Sequence, residues 1–195
     1  MWNQRYAGDE YVYGEEPNTF LTEHARQLEG PVLSLAEGEG RNAVYLASLG
    51  LQVHGVDMSD VGLAKAQALA KARGVEIQTE VADLGVFEPA AGHYGSVVSI
   101  FAHLPSVIRQ RLYPLVERAL KPGGLLLLEA YSEAQLGRDT GGPKDADMLM
   151  SIAKIQHEFP NLEPLLLQEV ERDVVEGTLH SGRASVVQFI GRKRG

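Results

Sequence analysis

Short, continuous apolar runs alternate with stretches of helical spacing along most of this chain. Residues 32–36 (VLSLA), 51–56, 75–81, 95–101 (GSVVSIF) and 125–131 are runs of the first kind and read as strands. Between them lie 42–49, the Ala-, Leu- and Lys-rich stretch 59–74, and 106–120, where Val107, Ile108, Leu112, Leu115, Val116 and Leu120 recur at helical spacing. Gly50 and Gly74 stand where two of these helices should stop, and Ser59 or Asp60 can cap the second. Lys121-Pro122-Gly123-Gly124 reads as a turn into the fifth strand. Strands that are apolar throughout, rather than alternating, imply a parallel sheet covered on both faces.

The two ends of the chain depart from that rhythm. Residues 1–15 have no clear period, although Trp2, Tyr6, Tyr11 and Tyr13 crowd there; such rings can dock on the body or form a lid over a pocket. A helix is expected over 17–28, with Pro17 in its first turn, before Gly30-Pro31. Residues 132–147 form a polar, Gly-rich loop, and Pro143 suits the first turn of a helix reaching about residue 159. Residues 165–175 and 184–190, joined by EGTLHSG, read as an antiparallel strand pair. The expected fold is α/β and doubly wound: a mostly parallel seven-stranded sheet with helices on both faces and a C-terminal antiparallel pair. One domain spans 1–195, with an N-terminal aromatic segment and helix over 1–30. A ligand-binding core follows over 31–131, then a substrate loop, helix and hairpin over 132–195.

Charge and composition narrow the function. A formal net charge of −8 sets most of the surface against a phosphate backbone, so no nucleic-acid partner is expected. Arg192-Lys193-Arg194 is the only dense basic run and reads as a solvated chain end. With no cysteine, disulfide and thiolate chemistry are excluded, and no His/carboxylate group has metal-ligand spacing. The start of the chain lacks a signal peptide's apolar core, and no run approaches the ~20 residues a membrane span requires. The expectation is a cytoplasmic protein without a membrane partner. There is no Gly-x-Ser-x-Gly elbow and no GK[ST] phosphate loop.

Candidate chemistry gathers at the carboxyl ends of the strands, where open parallel sheets bind ligands. After the first strand comes Glu37-Gly38-Glu39-Gly40, a glycine turn leading into a helix that begins near Asn42. Asp57 ends the second strand, where a carboxylate can accept both hydroxyls of a ribose; its competing role is a helix cap. Asp83, followed by Leu84, ends the third strand, placed to accept from an adenine amino group or to close a turn. Phe101 and His103 follow the fourth. His103 is the candidate catalytic base or substrate contact, set against the commoner role of a histidine satisfied in a wall. Tyr131, Arg138, His157 and His180 are further candidates to line a substrate pocket. Gly38 to Ala43 also matches the loose dinucleotide pattern, so the turn alone fits two cofactors. The C-terminal strand pair lies outside the plain dinucleotide fold. Glu37 and Glu39 also place negative charge where a pyrophosphate would need neutral donors.

The chain resembles the class I S-adenosylmethionine-dependent methyltransferases, and among them the small tellurite-resistance and thiopurine-type group. The likeness runs through WNQRYAGDEYVYGEEPN, LAEGEGRNAVYLA, GVDMS, VADL, HLP and LKPGGLLLLEAY to the last strand pair. It implies S-adenosylmethionine as cofactor and S-adenosylhomocysteine as product. Gly38 and Gly40 would hold the methionine part, Asp57 the ribose, and Met58, Asp83 and Leu84 the adenine, with Phe101 near the methyl group. The family turn usually has an acid where this chain has Ser34, and a glycine where it has Ala36; Glu37 or Asn42 is expected to substitute. The implied activity is methyl transfer to a small nucleophile: an oxyanion, a thiol or a small metabolite. The alternatives are a nicotinamide-dependent oxidoreductase and a non-catalytic S-adenosylmethionine-binding domain.

Overall fold

The computed structural model describes the whole chain, Met1–Gly195. Seven strands form one sheet: β1 Val32–Leu35, β2 Val53–Asp57, β3 Gln78–Val81, β4 Tyr94–Ile100, β5 Leu120–Tyr131, β6 Leu162–Glu176 and β7 His180–Lys193. Their spatial order is β3-β2-β1-β4-β5-β7-β6. β1 to β5 pair in parallel, and β7 runs antiparallel to both β5 and β6. This is the expected doubly wound sheet with its antiparallel pair, and strand order reverses between β1 and β4.

The six helices are α1 Trp2–Tyr6, α2 Thr19–His24, α3 Arg41–Ser48, α4 Asp60–Ala72, α5 Ser106–Ala119 and α6 Ile152–Glu158. α2, α3 and α4 cover one face of the sheet, where Phe20, Val44, Leu46 and Leu69 meet Val32, Val98, Ile100 and Leu127. α5 and α6 cover the other, where Leu112, Val116 and Ile155 meet Leu33, Val97, Leu126 and Leu128. β1 and β4 are buried along their whole length, which is why they read as unbroken apolar runs. Each fully buried Leu or Val there contributes roughly 1.5–3 kcal/mol.

Several expected boundaries move, each for a local reason. Asn18 caps α2 by accepting from Leu21 N–H, so Pro17 precedes the helix, and the following turn is 3-10 over Ala25–Gln27. Trp2–Tyr6 is helical although residues 1–15 show no period. Lys121–Gly124 lies inside β5 as an irregularity: Tyr94 pairs with Leu120, then Ser96 with Leu125. Residues 143–151 are not helical throughout. A 3-10 turn at Ala146–Met148 leads to buried Leu149 and Met150, and α6 begins only after Ser151 caps it. Arg192 and Lys193 lie on β7 rather than in a free tail; Arg192 pairs with Glu163, and Lys193 Nζ reaches the Leu120 carbonyl at 2.6 Å.

Candidate cofactor and acceptor site

The site lies at the reversal point, where the β1–α3 turn faces the ends of β2 and β4. The turn is held by unusual backbone conformations. Ala36, Gly38 and Gly40 all have positive φ, at 50°, 63° and 95°. Ala36 therefore carries a left-handed conformation at the position the family pattern gives to glycine, a local strain of order 1 kcal/mol or more. At Gly40 no side chain fits: a Cβ would stand 2.6 Å from the Cα of Ala66 on α4. Gly40→Ala is expected to lower stability by about 2–4 kcal/mol, because helix backbone cannot yield as a side chain can. Urea unfolding checks this.

Glu37 and Asn42 turn out to hold the protein rather than face the open side of the turn. The Glu37 carboxylate pairs with the Ser34 hydroxyl and accepts from Ala43 N–H at 2.9 Å, capping the first turn of α3. The carboxylate missing at Ser34 is thus restored three residues later, beneath the turn. Burial pushes Glu37 up to about 7 from 4.5. Because its pKa in the folded state exceeds that in the unfolded state, the native form holds the extra proton between those values. Its stability relative to Glu37→Gln should therefore fall by up to about 3 kcal/mol as pH rises from 4.5 to 7, a trend denaturation series at several pH values would show. Asn42 Oδ1 accepts from Asn18 N–H at 2.9 Å.

Glu39 is also committed: it accepts from Val12 N–H at 2.9 Å and pairs with Lys65 at 2.5 Å. Neither Glu37 nor Glu39 is left to repel a pyrophosphate, so that electrostatic argument for one cofactor over the other falls. The antiparallel β7 does the discriminating instead.

Asp57 ends β2 beside the turn. Its Oδ2 accepts from Gly38 N–H and its Oδ1 from Ser59 N–H, both at 2.8 Å, and burial raises its pKa. Each oxygen retains a second lone pair for a ligand hydroxyl. Met58 is 56% exposed, an apolar face next to that carboxylate. Asp83 is exposed, and its Oδ1 closes a turn by accepting from Gly85 N–H at 2.8 Å. Leu84 is buried in the core with Leu33 and Phe87, so its side chain does not face a ligand; this corrects the expected contact, for which only backbone remains.

His103 is likewise corrected. Its Nε2 accepts from Tyr131 N–H at 3.0 Å, its ring stacks 5.3 Å from Tyr131, and desolvation lowers it to about 3. With its Nε2 committed to a backbone N–H and its ring stacked on Tyr131, this imidazole is built into the wall. Phe101, with φ of 50°, stacks on Tyr131 at 4.6 Å. His180, at the start of β7, meets Phe101 edge-on at 5.0 Å. Arg138 instead pairs with Glu171 on the hairpin surface.

One open expectation is made specific, and one feature was not foreseen. The N-terminal segment crosses the glycine turn: a Cβ on Gly38 would stand 2.8 Å from the Tyr6 hydroxyl, and Tyr13 packs 4.7 Å from His180. A buried polar network lies behind it. Asn18 Nδ2 donates to both Glu129 (2.8 Å) and Glu176 (2.7 Å); Arg172 pairs with Glu129, and Arg41 with Glu176 at 2.6 Å. The acid in EGTLHSG and the polar residue ending an apolar strand, Glu129, were the available signals.

A family model described as a methyltransferase domain matches residues 32–124, the stretch that builds the turn, Asp57, Asp83 and β4. Over that stretch the chain is similar to the class I S-adenosylmethionine-dependent methyltransferases, in line with the resemblance read from its motifs. The cofactor of these methyltransferases is S-adenosylmethionine. A 2-heptyl-1-hydroxyquinolin-4(1H)-one methyltransferase of Mycobacteroides abscessus is 28% identical over 120 residues, covering 60% of this chain. The chain spans about half the length of that curated relative, 53% of it. Among solved structures, one from work on the conversion of a disulfide bond into a thioacetal group during echinomycin biosynthesis superposes with a TM-score of 0.78 at 21% identity, covering 99% of this chain and 91% of that one. TehB from Haemophilus influenzae gives 0.72 at 18% identity, covering 99% and 66%. At these identities the two structures speak to the fold alone. No helix in it is long and apolar enough to cross a membrane.

Proposed function

We propose that the protein moves the methyl group of S-adenosylmethionine to a small-molecule acceptor in the cytoplasm. The observation that carries this reading is the pairing of the Gly38–Gly40 turn with the Asp57 carboxylate at the reversal point of the sheet. In it, backbone at Gly38 and Gly40 borders the methionine part, Asp57 accepts the ribose hydroxyls, and Met58 and Asp83 border the adenine. Phe101 stands at the methyl end. The bound cofactor supplies an electrophilic methyl group on a sulfonium, and the protein supplies approach geometry and exclusion of water. The segment 1–16 is its lid: Tyr6 fills the space above Gly38, and Thr178 N–H on the hairpin bonds the Val12 carbonyl at 3.1 Å. The acidic surface supports a small acceptor rather than nucleic acid. The activity of the Mycobacteroides relative, on a hydroxyquinolone, supports the same class.

Calorimetry with S-adenosylmethionine, S-adenosylhomocysteine and NADH tests the cofactor, and binding of NADH alone would end the methyltransferase reading. Release of S-adenosylhomocysteine with a panel of thiols, oxyanions and phenols tests turnover.

A further inference from the structure

A contiguous set of rings leads from the lid to the ends of β4 and β5. Tyr13 stands 4.7 Å from His180, His180 stands 5.0 Å from Phe101 and 5.3 Å from Tyr131, and Phe101 stacks on Tyr131. Gly141 and Gly142, both at positive φ, press backbone against the same group. A Cβ on Gly141 would lie 2.8 Å from the Tyr131 hydroxyl and 3.1 Å from His180 Cδ2. The buried polar atoms of these rings have partners, with one exception. Tyr131 Oη reaches the Thr140 carbonyl, Tyr13 Oη accepts from Arg5, and His103 Nε2 accepts from Tyr131 N–H. Nδ1 of His180 is buried and has no hydrogen-bond partner, the single such side-chain atom in the protein. Leaving a buried polar atom unmatched is costly, and a ligand that meets it recovers that cost.

We propose that the methyl acceptor is a flat aromatic molecule bearing an acidic hydroxyl, held against Phe101 with that hydroxyl on Nδ1 of His180. This rests on the methyltransferase reading and names the acceptor class for the same site. Phe101, which is only partly buried, supplies the stacking face, and the fully buried Tyr131 backs it. Of the nearby cations, Arg41 is paired with Glu176, and Arg5 lies on the exposed side of the N-terminal segment, over the Trp2 ring and donating to Tyr13 Oη. An inorganic oxyanion at Nδ1 of His180 would find no buried unpaired cation to hold it. Desolvation lowers His180 to about 4; Glu176 pulls it up, and Arg41 and Arg5 push it further down. The ring is therefore neutral at pH 7 and offers a lone pair, but as a weak base it suits an electron-poor phenol or N-hydroxy heterocycle, not an aliphatic alcohol. As the acceptor oxygen bonds the methyl carbon, the carbon–sulfur bond breaks and its electron pair stays on sulfur. The hydroxyl proton passes to His180 Nδ1 and then to solvent, leaving an aryl methyl ether and neutral S-adenosylhomocysteine. Tyr13, carried on the lid, is the one ring of the set that moves aside with it.

The probe is 4-nitrophenol, with selenite as the oxyanion arm. In imidazole 1H–15N spectra of the full chain, 4-nitrophenol is expected to shift the His180 Nδ1 resonance, and selenite to leave it in place. His180→Phe keeps the ring packing, so it should melt with the wild type and bind S-adenosylmethionine within about twofold. Its kcat/KM for 4-nitroanisole formation should fall on the order of 10²-fold. The proposal is overturned if 4-nitrophenol leaves His180 unmoved, if selenite shifts it instead, or if His180→Phe methylates at the wild-type rate. Failure of the wild type to bind S-adenosylmethionine would overturn the methyltransferase reading, and the spectra distinguish that result because they need no cofactor.

Discussion

Asp57→Ala is expected to weaken S-adenosylmethionine binding at least about tenfold, the loss of a charge-assisted pair of hydrogen bonds to the ribose. The same change leaves Gly38 N–H and Ser59 N–H without acceptors. Each buried orphan costs about 1–3 kcal/mol, so stability falls too. The two effects separate in Asp57→Asn, whose side-chain oxygen still satisfies one of these N–H groups while its amide cannot accept a second hydroxyl. Calorimetry at a temperature where both variants are folded, beside urea unfolding of each, reads the two quantities independently. Unchanged affinity in folded Asp57→Ala would remove the ribose assignment.

Asp57 was legible in the sequence because everything that places it is local. An apolar strand ends, an acid follows, and a capped helix begins; the sheet does the rest. The same holds for the glycine turn and for the alternation that predicts the parallel core. Legibility failed where partners are far apart along the chain or where a side chain's direction decides the role. Glu37 and Asn42 lie in the turn, but one points beneath it to Ser34 and the other to Asn18. His103 sits at the expected strand end, yet the Tyr131 N–H fixes its ring. His180 was one polar residue among several in a hairpin turn. Only the fold shows that burial leaves its Nδ1 unmatched. The lid was a cluster of rings without a period until Glu39 and Lys65 gave its backbone somewhere to bind.

The network behind the turn carries the second large effect. Glu129 takes a position on β5 that faces the same side as Ile100 and Leu127 and is fully buried. Its oxygens accept from Asn18 Nδ2 at 2.8 Å, Gln188 Nε2 at 2.6 Å and Arg172 Nε at 3.0 Å, across separations of 111, 59 and 43 residues. Two guanidiniums, Arg41 and Arg172, balance the two carboxylates, Glu129 and Glu176. Glu129→Ala removes one charge and leaves Arg172 with the 3.3 Å contact to Glu176 as its one remaining ion pair, beside its bond to the Asp173 carbonyl. The expected loss is about 3–5 kcal/mol, the range for breaking a buried pair from one side. Glu129→Met with Arg172→Met removes both charges and refills the volume, so it should recover most of that loss. If the double variant is as unstable as the single one, packing rather than charge sets the cost. The consequence reaches the site because Arg41 opens α3 directly after Gly40, while Glu176 precedes the hairpin turn that carries His180. The network ties the cofactor turn to the acceptor wall. Glu129→Ala should therefore weaken cofactor binding even at temperatures where it stays folded, and the double variant should restore the fold without restoring that affinity fully, since Asn18 and Gln188 still lack the Glu129 acceptor.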